Sequence, residues 1–147
     1  MARSNRILLV DDCQMDTEMA LDALQSYHLA TEEVTLRDGS EALDYLYRRG
    51  QFAGRTNEQP AVILLDLKMP KVDGLEVLRQ VKNDLELRVI PVVMLTSSRE
   101  QNDIVESYRL GVNSYIVKPV NFERFANAVK DLGLYWLLIN EPPVQGG

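Results

Sequence analysis

The chain alternates between short, continuous runs of apolar residues and longer stretches in which apolar residues recur with helical spacing. Three runs, at 7–10, 61–65 and 90–95, are rich in β-branched or long aliphatic residues and show no alternation with polar ones. Such runs are typical of strands that are buried on both faces, as in a parallel sheet covered by helices. Two weaker strands are predicted at 33–37 and 114–117.

Between and after these strands, apolar residues recur every three or four positions, which predicts five helices with one buried face each. The five sets are Met19, Ala20, Ala23, Leu24 and Tyr27; Ala42, Leu43 and Leu46; Leu75, Leu78 and Val81; Ile104, Val105 and Tyr108; and Phe122, Phe125, Ala126, Val129 and Leu132. Ser40 and Asp73 are predicted to cap the N-termini of the second and third helices, and Gly111 to cap the C-terminus of the fourth.

The order of elements predicts an α/β fold in which five βα units form a doubly wound, five-stranded parallel sheet, a (βα)5 sandwich. The 147 residues fit a single domain over 1–140, with an extended polar loop at 48–60, an extended C-terminal helix and a flexible tail at 141–147. In such folds, ligands bind at the carboxyl ends of the strands. The residues that follow the strands are therefore the candidates for function.

The composition argues against several classes of protein and several kinds of site. The chain has 16 Lys and Arg against 22 Asp and Glu, a formal charge of −6. Because an acidic surface repels a phosphate backbone, nucleic-acid binding is not expected. The single cysteine, Cys13, excludes an internal disulfide and a cysteine-rich metal site. No apolar run approaches the roughly 20 residues of a membrane helix, and no signal peptide is evident, so we expect a cytoplasmic protein that does not bind membranes.

Chemically active side chains follow four of the five predicted strands. Asp11 and Asp12 follow the first, Asp66 the third, Thr96 the fourth and Lys118 the fifth. Each alone reads equally well as a cap, a turn or a solvated loop residue. Together they would crowd carboxylates at one edge of the sheet, which favours a bound Mg²⁺, and a lysine and a hydroxyl beside it suit phosphoryl oxygens. A carboxylate can itself accept a phosphoryl group.

These residues and their neighbours resemble the receiver domain of two-component response regulators, whose fold is the flavodoxin-like or CheY-like sandwich. The resemblance covers roughly residues 5–133, and the segments that carry it are Asp11-Asp12, 64–74, 94–98 and 115–119. The extended loop at 48–60 and the segment 134–143 look like the small stand-alone regulators that partner cyanobacterial phytochrome-type histidine kinases.

For the metal and the phosphoryl group, the resemblance implies a specific set of residues. Asp66 would be the phosphoacceptor, and the donor would be a phosphohistidine of a sensor kinase. Mg²⁺ would be held by Asp12 directly, by Asp11 directly or through water, by Asp66 and by the backbone carbonyl of Lys68.

The resemblance also implies a switch. Thr96 would swing to hydrogen-bond the phosphoryl group, and Lys118 would contact that group and, in the resting state, the Asp66 carboxylate. Tyr115, on the fifth strand, would rotate inward when Thr96 moves, although a strand tyrosine is more often only a packing residue. The Lys118–Pro119 peptide bond is cis in many members of the family.

The apolar run at 134–139 cannot face inward at every position of a helix. Either the run folds back over the sheet edge, or Tyr135 and Trp136 form part of a dimer surface, since aromatic residues are common anchors of interfaces. The resemblance favours a homodimer through the fourth helix, the fifth strand and the fifth helix.

Four further residues are expected to carry no chemistry. The only histidine, His28, is predicted to lie on the surface at the end of the first helix, away from the candidate site. Arg48, Arg49 and Arg55 are predicted to be solvated in the extended loop.

The sequence therefore predicts a stand-alone response regulator without an output domain. It would receive a phosphoryl group from a histidine kinase, of the phytochrome type, and change its binding to another protein. Its only catalysis would be its own phosphorylation and hydrolysis. The alternative, a phosphatase of the aspartyl-phosphate type, needs a second acid two residues after the nucleophile, where this chain has Lys68. A flavodoxin-like electron carrier needs a hydroxyl- and glycine-rich loop where this chain has Asp11-Asp12.

Overall fold

A computed structural model of the chain describes residues 6–26, 32–119 and 122–134. Within these ranges there are five strands and five α-helices in strict alternation. They are β1 (Arg6–Val10), α1 (Gln14–Ser26), β2 (Glu32–Leu36), α2 (Gly39–Tyr47), β3 (Val62–Leu65), α3 (Gly74–Asn83), β4 (Val92–Thr96), α4 (Gln101–Arg109), β5 (Ser114–Val117) and α5 (Phe122–Asp131). None of the helices described in these ranges is both long and apolar enough to cross a membrane.

The strands form one parallel sheet in the order β2-β1-β3-β4-β5, which confirms the predicted α/β architecture. The chain moves outward from β1 to β2 and then crosses to β3 on the other side of β1. The order of strands therefore reverses between β1 and β3, and this is the point at which doubly wound sheets bind ligands.

Alternate residues of the central strands pack into two separate cores, as the two-residue period of a strand requires. On β1, Ile7 and Leu9 pack into the core beneath α1 and α5, whereas Leu8 and Val10 pack into the core beneath α2 and α3. All residues of β3 and β4 are buried. The continuous apolar runs in the sequence therefore correspond to strands that are covered on both faces.

Two of the predicted helix ends are confirmed. The Asp73 side chain accepts a hydrogen bond from the backbone N–H of Glu76 (3.0 Å) and so caps α3. Gly111 directly follows the C-cap residue of α4. Its φ is +104°, and its N–H donates to the carbonyl of Tyr108 (3.1 Å).

The predicted cap of α2 is wrong. Asp38 rather than Ser40 caps this helix, and its carboxylate accepts a hydrogen bond from the N–H of Glu41 (2.8 Å). The helix begins at Gly39, where a Cβ atom would lie 2.0 Å from the carbonyl oxygen of Val72. This close approach of two backbone segments leaves no room for a side chain at the first residue of α2. Strand β2 is likewise displaced by one residue from the predicted 33–37.

Three residues that the apolar periodicity places on buried helix faces are exposed. Met19 on α1 is 51% exposed, and on α4 Val105 and Tyr108 are 51% and 52% exposed. The only fully buried residue of α4 is Ser107, so this helix covers the sheet with a narrow face and leaves apolar side chains in solvent. The predicted positions of His28, Tyr135, Trp136 and the tail at 141–147 lie outside the described residues.

Part of the loop at 48–60 packs against the C-terminal end of α2 instead of lying in solvent. The Arg55 guanidinium lies 3.9 Å from the centre of the Tyr45 ring, and it donates two hydrogen bonds to the Tyr45 carbonyl (2.8 and 3.0 Å). The Gln59 side chain binds the neighbouring carbonyl of Leu46 (2.9 Å). These contacts satisfy carbonyl groups at the C-terminal end of α2, so the expectation of a solvated Arg55 is wrong.

We predict that Gly74→Ala destabilises the protein by about 2 kcal/mol, in the range of overpacked core sites. A Cβ atom at Gly74 would lie 2.2 Å from the carbonyl oxygen of Asp66 and 2.8 Å from the Cα atom of Leu67, and backbone cannot yield as a side chain can. The matched control is Gly54→Ala, because no atom lies within 4 Å of a Cβ there. Urea unfolding measures both variants, and equal changes in the free energy of unfolding would contradict the prediction.

Candidate functional site

The last hydrogen bonds of the parallel ladder place the candidate residues at one edge of the sheet. The N–H of Asp66 donates to the carbonyl of Val10, directly before Asp11 (2.9 Å), and the N–H of Lys118 donates to the carbonyl of Thr96 (2.9 Å). Each of these residues therefore lies at the carboxyl end of its strand, and the sheet itself brings their side chains together.

Three carboxylates meet at the point where the strand order reverses. Asp11, Asp12 and Asp66 each offer an oxygen atom, and these atoms all lie within 4.8 Å of one another. Asp11 and Asp66 are buried and Asp12 is exposed, so the group of carboxylates is accessible to solvent on the side of Asp12. An all-oxygen set of this kind suits Mg²⁺, which retains waters in place of a complete protein cage. The residues present therefore fit the predicted metal.

Lys68, whose backbone carbonyl was predicted as a further metal ligand, follows β3 by three residues. Its ammonium lies 3.9 Å from a carboxylate oxygen of Asp103 in the first turn of α4. The side chain thus joins two loops at the edge of the site, and the role of the carbonyl stays a prediction.

Lys118 lies among three carboxylates. Its Nζ atom is 2.5 Å from Asp11, 2.9 Å from Asp16 and 3.4 Å from Asp66. An ammonium has three N–H donors, so these contacts use its full capacity. The predicted contact with Asp66 is the longest of the three, and the resting lysine is held mainly by Asp11 and Asp16.

Asp16 is a residue of this site that the apolar pattern and the resemblance do not predict. It lies in the first turn of α1, and 102 positions of sequence separate it from Lys118. An acid in the first turn of a helix is usually explained by the helix dipole. The available signal was its position four residues after Asp12, in the first turn of the helix that follows this edge of the sheet.

Burial and ion pairing shift the pKa values at this site in different directions. Burial raises the pKa of Asp11 above its ordinary value, although hydrogen bonds from Lys118 and from the N–H of Cys13 oppose the shift. The hydrogen bond from Lys118 lowers the pKa of Asp16, which is far less covered. Burial disfavours the Lys118 ammonium, but Asp11 and Asp16, with the charge of Asp66, outweigh it and hold the pKa of Lys118 well above its usual range.

Ser98 links the two predicted switch residues. Its N–H donates to the hydroxyl of the buried Thr96 (3.2 Å), and its carbonyl accepts a hydrogen bond from the Tyr115 hydroxyl (3.0 Å). The Ser98 hydroxyl also donates to Asp103 (2.5 Å). A displacement of Thr96 would therefore disturb the residue that holds Tyr115 and the start of α4.

The Lys118–Pro119 peptide bond is cis, as the resemblance implies. It forms part of a shallow cleft beside Lys118, which is also lined by Asp16, Met19 and Ser97. This cleft opens the lysine side of the site to solvent.

Comparison with known protein families identifies the chain. Residues 7–130 match the model of the response regulator receiver domain. The chain belongs to the response regulator receiver domain family. Receiver domains are signalling proteins that take phosphoryl groups from histidine kinases and bind Mg²⁺ or Mn²⁺ at an acidic pocket.

Several solved receiver structures are similar over nearly the whole chain. The bacteriophytochrome response regulator AtBRR is 56% identical, with a TM-score of 0.85 over 95% of this chain and 100% of that one. The phosphorylated cyanobacterial phytochrome response regulator RcpA is 40% identical, with a TM-score of 0.76 over 96% and 99%. Response regulator Rcp1 of Synechocystis sp. is 37% identical over 89% of this chain and 88% of its own length. The Mn²⁺-bound form of Rcp1 has a TM-score of 0.75, at 36% identity, over 95% and 99% of the two chains.

We predict that Lys118→Met lowers the free energy of unfolding by about 3 kcal/mol at pH 7 without added metal, because the buried Asp11 and Asp66 lose their cation. The folded pKa of Lys118 lies above the unfolded value, so its contribution is complete below about pH 10 and is lost only as the pH rises through the folded value. Below neutral pH the difference should shrink, because burial raises the pKa of Asp11 and lets that carboxyl take up a proton.

Urea unfolding in EDTA at pH 7 and pH 5 measures this difference. Lys71→Met is the matched control, since Lys71 is exposed and its ammonium lies 3.7 Å from Asp38, a pair that contributes little. A Lys118 variant as stable as the Lys71 variant at pH 7 would show that the carboxylates do not need the ammonium.

Proposed function

We propose that this receiver domain accepts a phosphoryl group on Asp66 from a sensor histidine kinase and thereby switches a protein-binding surface. The observation that carries the proposal is the convergence of Asp11, Asp12 and Asp66 with Lys118 at the switch point of the sheet. The family match favours this function over the aspartyl-phosphate phosphatase. A cytoplasmic location belongs to the same proposal.

In the proposed reaction, an oxygen of Asp66 forms a bond to phosphorus. The bond between phosphorus and the nitrogen of the kinase histidine breaks, and its electron pair leaves with that nitrogen. Asp11, Asp12, Asp66 and the carbonyl of Lys68 would hold Mg²⁺. When bound, the ion supplies the positive charge that lets an anionic carboxylate meet an anionic phosphoryl group. Lys118 would orient the group from the opposite side.

The switch follows from charge. A phosphoryl group adds roughly one and a half to two negative charges. It gives the hydroxyl of Thr96 a partner that is missing in the resting state, when that hydroxyl accepts from the N–H of Ser98. Movement of Thr96 would release Ser98, and with it the carbonyl that holds Tyr115. The surface that changes is then the face of α4, β5 and α5.

The names of similar proteins support a kinase of the phytochrome type as the donor, and two exposed side chains of α1 support a partner that binds beside the site. AtBRR and RcpA, which are 56% and 40% identical to this chain, are response regulators of phytochromes by name. The exposed side chains of Met15 and Met19 lie on α1, and Met19 lines the cleft beside Lys118. They offer apolar area to a partner that must bring a phosphohistidine to this edge of the sheet.

We predict that acetyl phosphate with Mg²⁺ labels the protein and that Asp66→Asn abolishes the label, because the amide cannot act as the nucleophile. Asp22→Asn, which changes an exposed acid of α1 in the same way, should keep it. Intact-protein mass spectrometry measures the added phosphoryl group. A label that survives Asp66→Asn would assign the phosphoryl group to another residue.

We also propose a homodimer through α4, β5 and α5 with Tyr135 and Trp136 at its surface. The half-exposed Val105 and Tyr108 of α4 support it, because they leave apolar area on that face. Replacing Tyr135 and Trp136 together by alanine should shift a concentration series in analytical ultracentrifugation toward the monomer. Leu85→Ala, which removes an exposed leucine of another surface (77% exposed), is the control. An unchanged distribution in the double variant would exclude the two aromatics from any dimer.

A further inference from the structure

We infer that Asp16 is a positioning residue for Lys118: it is the acceptor that retains the ammonium beside the phosphoacceptor while Asp11 and Asp66 bind a divalent metal. This inference rests on the proposed function, and it assigns a role to a residue of α1 outside the predicted metal and phosphoryl contacts.

The geometry separates Asp16 from the other two partners of Lys118. Asp11 and Asp66 belong to the group of three carboxylates whose oxygen atoms converge within 4.8 Å, and Asp16 does not belong to it. The distance from Lys118 Nζ to Asp16 is 2.9 Å, shorter than its distance of 3.4 Å to Asp66. Asp16 is therefore the partner of Lys118 that has no oxygen in the acidic group, so a metal bound there would not compete for it.

Electrostatic repulsion explains why Lys118 needs an acceptor outside the metal site. Lys118 and a divalent cation both seek the oxygens of Asp11 and Asp66, and the two positive charges repel each other. A carboxylate at Asp16 draws the ammonium to the side of α1 and reduces that competition. Without it, the charged partners left to Lys118 among the described residues are Asp11 and Asp66, with which a bound metal would compete.

The simpler role for Asp16 is structural, because an acid in the first turn of a helix stabilises the helix N-terminus. If that role is the whole explanation, Asp16→Asn lowers the stability of the protein, and its effect is the same whether or not Lys118 is present. A general loss of negative charge near the site predicts weaker metal binding, also without dependence on Lys118. The three explanations are distinguished by a double-mutant cycle between Asp16 and Lys118.

The experiment titrates the full chain with Mn²⁺, followed by electron paramagnetic resonance. Asp16→Asn should weaken Mn²⁺ binding by about tenfold, the size of one lost charge-assisted contact. Glu18→Gln removes the same charge from an exposed position on the same helix and should change the affinity by less than about twofold, as expected for a screened surface charge. Asp16→Glu, which keeps a carboxylate, should restore part of the affinity.

In a Lys118→Met background, Asp16→Asn should change Mn²⁺ affinity no more than Glu18→Gln does. Equal effects of Asp16→Asn with and without the lysine would overturn the inference, and so would equal effects of Asp16→Asn and Glu18→Gln in the wild-type background. The second comparison needs no Lys118 variant, and circular dichroism confirms that each variant is folded. Mn²⁺ binding that Asp12→Ala leaves unchanged would instead contradict the proposed metal site, and the inference with it.

Discussion

One electrostatic constraint governs this protein: three carboxylates contact a single ammonium at one edge of the sheet, and a fourth lies beside two of them. Asp11 and Asp66 follow neighbouring strands, Asp16 comes from α1, and Lys118 contacts all three, while Asp12 completes the group. Carboxylates that are partly removed from water repel one another strongly, and they are tolerated only beside a cation. Lys118 supplies one positive charge, and the remaining surplus of negative charge is what a divalent metal would offset.

The fold maintains this crowding. Both faces of β1 and β3 are packed into hydrophobic cores, so the strands cannot move apart to relieve the repulsion. Gly74 lets the start of α3 approach the backbone of Asp66 too closely for any side chain. The energy of the apolar cores thus holds charged groups in an arrangement that they would not adopt alone. A site of this kind is prepared for a cation and an anionic group before either binds.

The part of the site around Thr96 is held mainly by hydrogen bonds and not by ion pairs. Around Thr96 the contacts are hydrogen bonds between neutral groups and a short link to Asp103, and they connect the edge of the sheet to α4. This helix contributes a single buried residue, Ser107. A weakly buried helix joined to the site by a few polar contacts is the part of the molecule that a new charge at Asp66 can displace at least cost.

The sequence alone determined the strands, the burial of the three central ones on both faces and the residues at the carboxyl ends, because these depend on local patterns of apolar residues and on where each pattern stops. Asp11, Asp66, Thr96 and Lys118 could be predicted for that reason. The cap at Asp73 was predictable because its hydrogen bond joins residues only three positions apart. The same kind of local pattern predicted a cap at Ser40, and that prediction is wrong.

Only the tertiary structure decided which distant groups meet. Gly39, at the start of α2, packs against the backbone at Val72, and the Arg55 guanidinium lies over the ring of Tyr45. Asp16 meets Lys118 across 102 positions of sequence, through the packing of α1 beside the end of β5. A local pattern records whether a residue is buried, but the partner of a charge depends on how separate segments pack, which no short stretch of the chain contains.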